Sequence, residues 1–273
     1  MLNIHCDTRI PKESISGANF SREEQMLIGQ YGIVKSTIVA PEACISFAGN
    51  NLLYATELFR KLCEKGSFLR KDIMKLAYEI HNSAPENDIE FIISTYENGR
   101  LHIDSIKDKK VNENCPFDWI GSYEAFVAFQ KQKNSTYPKG KPIHEYTYGA
   151  FSNVVAGCGD SSVGGFHIAV AYNYSKSSFQ YQESKSFTAL DQIVRPGESV
   201  IFDTSREAGG YSFETVSSDI QNVVFIVDQM QPAILYSRQF RGDKKDSENK
   251  NLFSLMLPML ILQDKNGQWI QYR

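Results

Sequence analysis

A chain of 273 residues, 42% hydrophobic and 22% charged, is long enough to bury a substantial core as one large domain or two small ones. Its formal net charge of -3 leaves no general attraction to nucleic acid or to an anionic membrane surface. The longest apolar run, Leu255 to Leu262, contains Pro258 and is far shorter than the roughly 20 residues a spanning helix requires, so no membrane partner is expected.

Taken in order, Asn3 to Arg9 alternates as a strand and stops at Ile10-Pro11, because proline disfavours helix in the residue before it. Residues 12–31 read as a polar loop with one helical turn, Ser21 serving as N-cap with Glu24 three residues on. Gly32 to Val39 and Ala43 to Phe47 are β-branched and aromatic runs about a Pro41-Glu42 turn, hence a hairpin. Leu52, Ala55, Leu58, Phe59 and Leu62 follow a 3.6 period and predict a helix capped by Asn50 or Asn51 and ending near Gly66. A second helix carries Ile73, Leu76, Ala77 and Ile80 on one face. Asp88 to Tyr96 and Arg100 to Ile106 flank Asn98-Gly99, which adopts the positive φ of a type I′ turn and predicts a second hairpin.

Trp119 to Ser122 reads as a short strand into a turn, Tyr123 to Lys133 as a helix, Asn134 to Glu145 as a loop and Gly149 to Cys158 as a further helix. Two strands fit Phe166 to Tyr174 and Ser178 to Glu183. Beyond residue 185 only strand-like runs follow, at Ser199 to Asp203, Tyr211 to Thr215, Val223 to Asp228 and Ala233 to Arg238. A charged linker, Arg241 to Lys250, then leads to a hairpin about Asn266-Gly267. The chain thus divides into an α+β part, 1–185, and a β-rich extension or small domain, 186–273.

Five cysteines, at 6, 44, 63, 115 and 158, form no CxxC or zinc-spaced cluster. The five histidines are scattered without an i, i+4 pair, and no phosphate-cradling glycine motif is present. Neither a metal nor another cofactor is expected. The start of the chain has no basic region followed by a long apolar core, so no signal peptide is read there and a reduced, cytoplasmic setting is expected.

Four motifs stand in a telling order: His5-Cys6-Asp7-Thr8-Arg9, Lys35 fourteen residues before Gly49 of Ala48-Gly49, Ile120-Gly121-Ser122, and Asp160 to Gly165. Together with the element order over residues 3–183, they resemble the proteasome β-subunit type of N-terminal-nucleophile (Ntn) hydrolase. That resemblance implies a four-layer αββα sandwich. It implies Lys35 as the catalytic lysine, Asp7 orienting it, the Gly49 N–H as oxyanion donor, and Ser122 and Asp160 near the nucleophile. It also implies a peptide or amide substrate and a homo-oligomer or related partner subunits. An ammonium beside a hydroxyl or thiol lowers its pKa, and an oxyanion donor contributes roughly 3 kcal/mol to amide cleavage.

The family's nucleophile begins a strand that precedes the aspartate strand, whereas six residues precede Asp7 here. Cys6 and Thr8 are the substitutes nearest at hand, each with a structural alternative as a buried cysteine and a strand threonine. Asp7 and Lys35 likewise read either as a catalytic pair or as an ion pair that fixes strand register. Two functions are carried forward: a divergent peptidase or amidohydrolase, and a catalytically silent binding or assembly module.

Overall fold

The computed structural model describes residues 2–11, 20, 22–85, 88–135, 143–157, 159 and 162–182, and the backbone of the strands beyond residue 186. Over the described residues it is a mixed α+β structure with antiparallel sheets and five helices.

A five-stranded sheet is built from consecutive strands in the order β2-β3-β4-β5-β6, namely Ser36–Ala40, Ala43–Ala48, Glu90–Glu97, Arg100–Lys107 and Lys110–Asn112. Alternation sorts its side chains. Ile45, Phe47, Phe91, Ile93 and Ile106 point to one face, where α2 (Leu52–Lys65) and α3 (Arg70–Ser83) lay Leu58, Phe59, Leu62, Ile73 and Ile80 over them in one buried cluster. Full burial of a side chain such as Phe59 or Phe91 contributes about 2–3 kcal/mol. The α2 helix begins where the Asn51 Oδ1 accepts the Leu53 N–H at 3.0 Å. Between β4 and β5, Asn98 and Gly99 both have positive φ, 52° and 76°.

On the opposite face Ile38, Cys44 and Tyr96 meet a three-stranded sheet, order β1-β7-β8: Asn3–Cys6, Ile168–Asn173 and Ser178–Tyr181. Cys6, Ile168, Val170, Tyr172, Phe179 and Tyr181 form the second buried cluster. Bonds also tie the two sheets together: the Tyr181 hydroxyl donates to the Ser36 carbonyl at 2.9 Å and accepts the Ile38 N–H at 3.4 Å, and the Phe179 N–H donates to the Pro41 carbonyl at 2.7 Å. The remaining helices are α1 (Arg22–Tyr31), α4 (Tyr123–Ser135) and α5 (Ile143–Gly157). Phe151 of α5 stacks on His5 of β1 and meets Phe129 of α4 edge-on.

The strands after residue 186 pair only with one another among the described residues. Phe187–Val194, Ile220–Ile226, Ala233–Arg238, Met256–Gln263 and Trp269–Tyr272 (β9, β12, β13, β14 and β15) form an antiparallel sheet, and β10 (Ser199–Phe202) pairs with β11 (Tyr211–Glu214).

Several expectations change; among them, the strand expected from Gly32 begins at Ser36. Strand β1 ends at Cys6 rather than Arg9, because the Thr8 and Arg9 N–H groups turn to the Gly164 carbonyl. The single helical turn expected before residue 31 is the ten-residue α1, whose Ile28 enters the first core cluster. Residues 119–122 form no strand; Asp118 holds this loop by accepting from Ser105, Lys107 and the Trp119 N–H. Helix α5 starts at Ile143, six residues before the Gly149 expected, and β6 and β9 were not foreseen. Ser21 and the charged linker 241–250 lie outside the described residues.

Candidate functional site

A cleft of about 770 Å³ opens between β1, the inner face of the five-stranded sheet and helices α4 and α5. Five of the seven residues singled out in the sequence line it: Cys6, Asp7, Lys35, Gly49 and Ser122. Thr8 does not, and Asp160 lies outside the described residues.

Lys35 immediately precedes β2, and its Nζ reaches both Asp7 carboxylate oxygens at 3.0 Å. Asp7 also accepts the Arg9 N–H at 2.8 Å. With side chains 12% and 10% exposed, the pair is largely desolvated, so either partner alone is costly. Lys35→Met is expected to lower stability by about 2–3 kcal/mol in urea unfolding, with much of it recovered in Asp7→Asn/Lys35→Met. Losses in Asp7→Asn and Lys35→Met that simply add in the double variant would show that the pair is not coupled.

Position 49 requires glycine. Its φ is 148°, and a Cβ there would stand 2.2 Å from the Asp88 carbonyl oxygen. The Gly121 N–H donates to Glu90 Oε2 at 2.9 Å, bringing the 118–122 loop to the mouth of the cleft. Burial raises the Glu90 pKa more than that bond lowers it. Ser122 Oγ accepts the Ala125 N–H at 3.1 Å, which makes it the cap of α4. Beside it, burial would raise the Asp118 pKa, but bonds from Lys107, Ser105 and the Trp119 N–H outweigh burial and hold the carboxyl below its usual value.

The substitute nucleophiles are both committed to structure. Burial pushes the Cys6 thiol up to about 11, so little thiolate exists near neutrality. Thr8 is 0% exposed, its hydroxyl donating to the Tyr31 carbonyl at 2.9 Å and accepting the Phe166 N–H at 3.0 Å. Gly165 lies against it so closely that a Cβ would fall 2.3 Å from Thr8 Oγ1.

Sequence reading did not find Glu90, Asp118 or Ser94, which line the cleft, nor the contact of His5, which lines it too, with His167. His5 Nδ1 and His167 Nε2 are 3.0 Å apart, and His167 Nδ1 lies 2.7 Å from Ser152 Oγ. Burial lowers the His5 pKa to about 4; burial and then the His5 charge lower that of His167 to about 3. Only Ser94 carried a local signal, a hydroxyl between Ile92 and Tyr96 on the inward face of its strand. No group of three or more His, Cys, Asp or Glu among the described residues could hold a metal ion. None of the described helices is long and apolar enough to cross a membrane. Comparison with protein-family models and with curated proteins finds no match for this chain.

Proposed function

We propose that residues 1–185 form a four-layer αββα sandwich of the Ntn-hydrolase type whose cleft binds a peptide or amide group without a nucleophile of its own. The layered reading rests on α2 and α3 over one sheet, two sheets face to face, and α5 against β1. The binding reading rests on the desolvated Lys35–Asp7 pair in a cleft of about 770 Å³.

One observation turns the reading from hydrolase to silent module. Cys6 is held as a thiol by burial, and Thr8 and Ser122 use their hydroxyls to hold backbone in place. The Cys6 thiol is raised rather than lowered, and the Thr8 hydroxyl gives its proton to a backbone carbonyl. Ser122 Oγ donates to Glu124 Oε2 at 3.4 Å, a long bond within the first turn of its own helix, whereas activation needs a closely held base or a lowered pKa. Exposed Leu53 on α2 and Tyr78 on α3 supply apolar surface for a homo-oligomer or a related subunit.

The test is labelling with a peptide vinyl sulfone and a peptide epoxyketone, read by intact mass and peptide mapping. No adduct is expected at Cys6, Thr8 or Ser122. A stoichiometric adduct at any of them returns the protein to the amide hydrolases, as a cysteine, threonine or serine type respectively.

A further inference from the structure

Every residue of Leu2 to Asp7 lines the cleft, although alternate residues of a strand face opposite ways. Leu2, Ile4 and Cys6 belong to the core between the sheets, while His5 packs on Phe151. A cavity that touches consecutive residues from both faces lies along the strand's edge.

The ladder shows which backbone groups look out there. The Gln182 N–H donates to the Ala169 carbonyl at 2.8 Å, so the backbone groups of Ala169 are turned to β8. In an antiparallel ladder, the residue opposite on the other side is then a non-hydrogen-bonded partner. That residue is His5, and Asn3, opposite Ala171, follows by the two-residue period. The N–H and C=O of Asn3 and His5 therefore point away from β7, along the slot. Among the described residues no strand pairs with that edge.

The slot also holds a buried polar group waiting for a partner. Ser94 is 1% exposed, and its hydroxyl has no hydrogen-bond partner among the described residues. It shares its strand face with Ile92, across the slot from β1, and the neighbouring Ser46 is bonded to Ser36 at 2.8 Å. The facing wall is aromatic, formed by Phe126, Phe129 and Phe151.

We infer that the slot takes an extended segment of a separate polypeptide as an added strand beside β1, pairing with the backbone of Asn3 and His5 and bonding Ser94 through a polar side chain. Donors and acceptors two residues apart along a strand repeat at about 7 Å, a spacing that an extended backbone matches. A buried hydroxyl left unpaired costs free energy that a polar side chain of the segment recovers. This inference rests on the reading of the cleft as a peptide-binding site, and it adds the binding mode and the edge that provides it.

The test uses the full chain and an end-capped hexapeptide alternating valine and threonine, with a counterpart N-methylated at alternate amides. The expected result is saturable binding that slows hydrogen exchange at the Asn3 and His5 amides, with the N-methylated peptide about tenfold weaker or worse. Asn3→Pro removes a donor from the slot side only, at the first position of a strand, where proline is tolerated. It is expected to weaken the peptide about tenfold while leaving exchange in β7 unchanged.

Equal binding of the two peptides, or none at millimolar concentration, overturns the inference. So does protection of the Asn3 and His5 amides in the free chain: if independent of protein concentration, a segment of the same chain fills the slot, and if rising with concentration, a second copy does. Cleavage of a bound peptide leaves the slot standing and overturns the silent-module reading instead. Absence of binding with no electrophile adduct leaves the missing nucleophile unchallenged and removes only the slot.

Discussion

Arg70→Met is expected to lower stability by about 3–5 kcal/mol, measured as a fall in the urea midpoint at unchanged slope. Arg70 is the first residue of α3, and its Nε and Nη2 each meet one Asp104 carboxylate oxygen at 2.7 Å. The Asp104 side chain is 0% exposed, so removing the guanidinium strands a carboxylate beneath the helix, with the Asn114 N–H, 2.9 Å from Oδ1, as its remaining bond. The same arginine also reaches Glu113 at 3.1 Å, but that carboxylate is 62% exposed and solvent screens it. Glu113→Gln is therefore expected to change stability by less than about 1 kcal/mol. Comparable losses in the two variants would mean that burial does not set the strength of these bonds.

Acidification should begin to weaken the fold above the range in which ordinary carboxylates titrate. His5 and His167 stay neutral in the native protein down to about pH 4 and about pH 3, whereas in the unfolded chain they take up protons near the ordinary histidine value of 6.5. Between those limits the unfolded state binds more protons, so stability rises with pH and is lost as pH falls from about 6.5 to about 4. From His5 alone the loss is on the order of 3 kcal/mol, with more from His167 over a window reaching lower. Carboxylates such as Asp118, whose pKa lies below its usual value, add their own loss only at more acidic pH. Urea midpoints at pH 7, 5 and 4 check this, and His5→Phe/His167→Phe is expected to flatten the profile above pH 4. An unchanged slope in that variant would assign the loss to other groups.

Much of residues 32–106 was legible because its signals are local. Asn98-Gly99 encodes its own φ values, and Leu52 to Leu62 displays the face that α2 buries. The Lys35–Asp7 contact was legible only through motif order, since 28 residues separate the partners. Helix α1 was underestimated because its polar residues dominate the run, while Ile28 gains its burial from distant strands. Trp119 to Ser122 looked like a strand by composition, but Asp118 fixes the backbone as a loop through partners on β5. The Arg70–Asp104 bridge, the His5–His167 contact and the exchange of bonds at Thr8 join residues 34, 162 and 158 apart, and no local pattern announces them. Cys6 and Thr8 show the same limit at the site, because whether a thiol or hydroxyl is free to react depends on neighbours brought in by tertiary packing.

The order of the sheets also sets an order of assembly. Strands β2 to β6 pair with sequence neighbours, through short turns except between β3 and β4, where residues 49–89 carry α2 and α3, so this half closes far shorter loops than β1 must. Strand β1 must wait for a partner: Asn3 is registered with Ala171, across almost the whole α+β part of the chain. Pairing so distant in sequence carries a larger entropic cost before any contact rewards it, and it forms slowly. The wall of the cleft that bears Asp7 is thus the last to arrive, after the sheet that bears Lys35 has already taken shape.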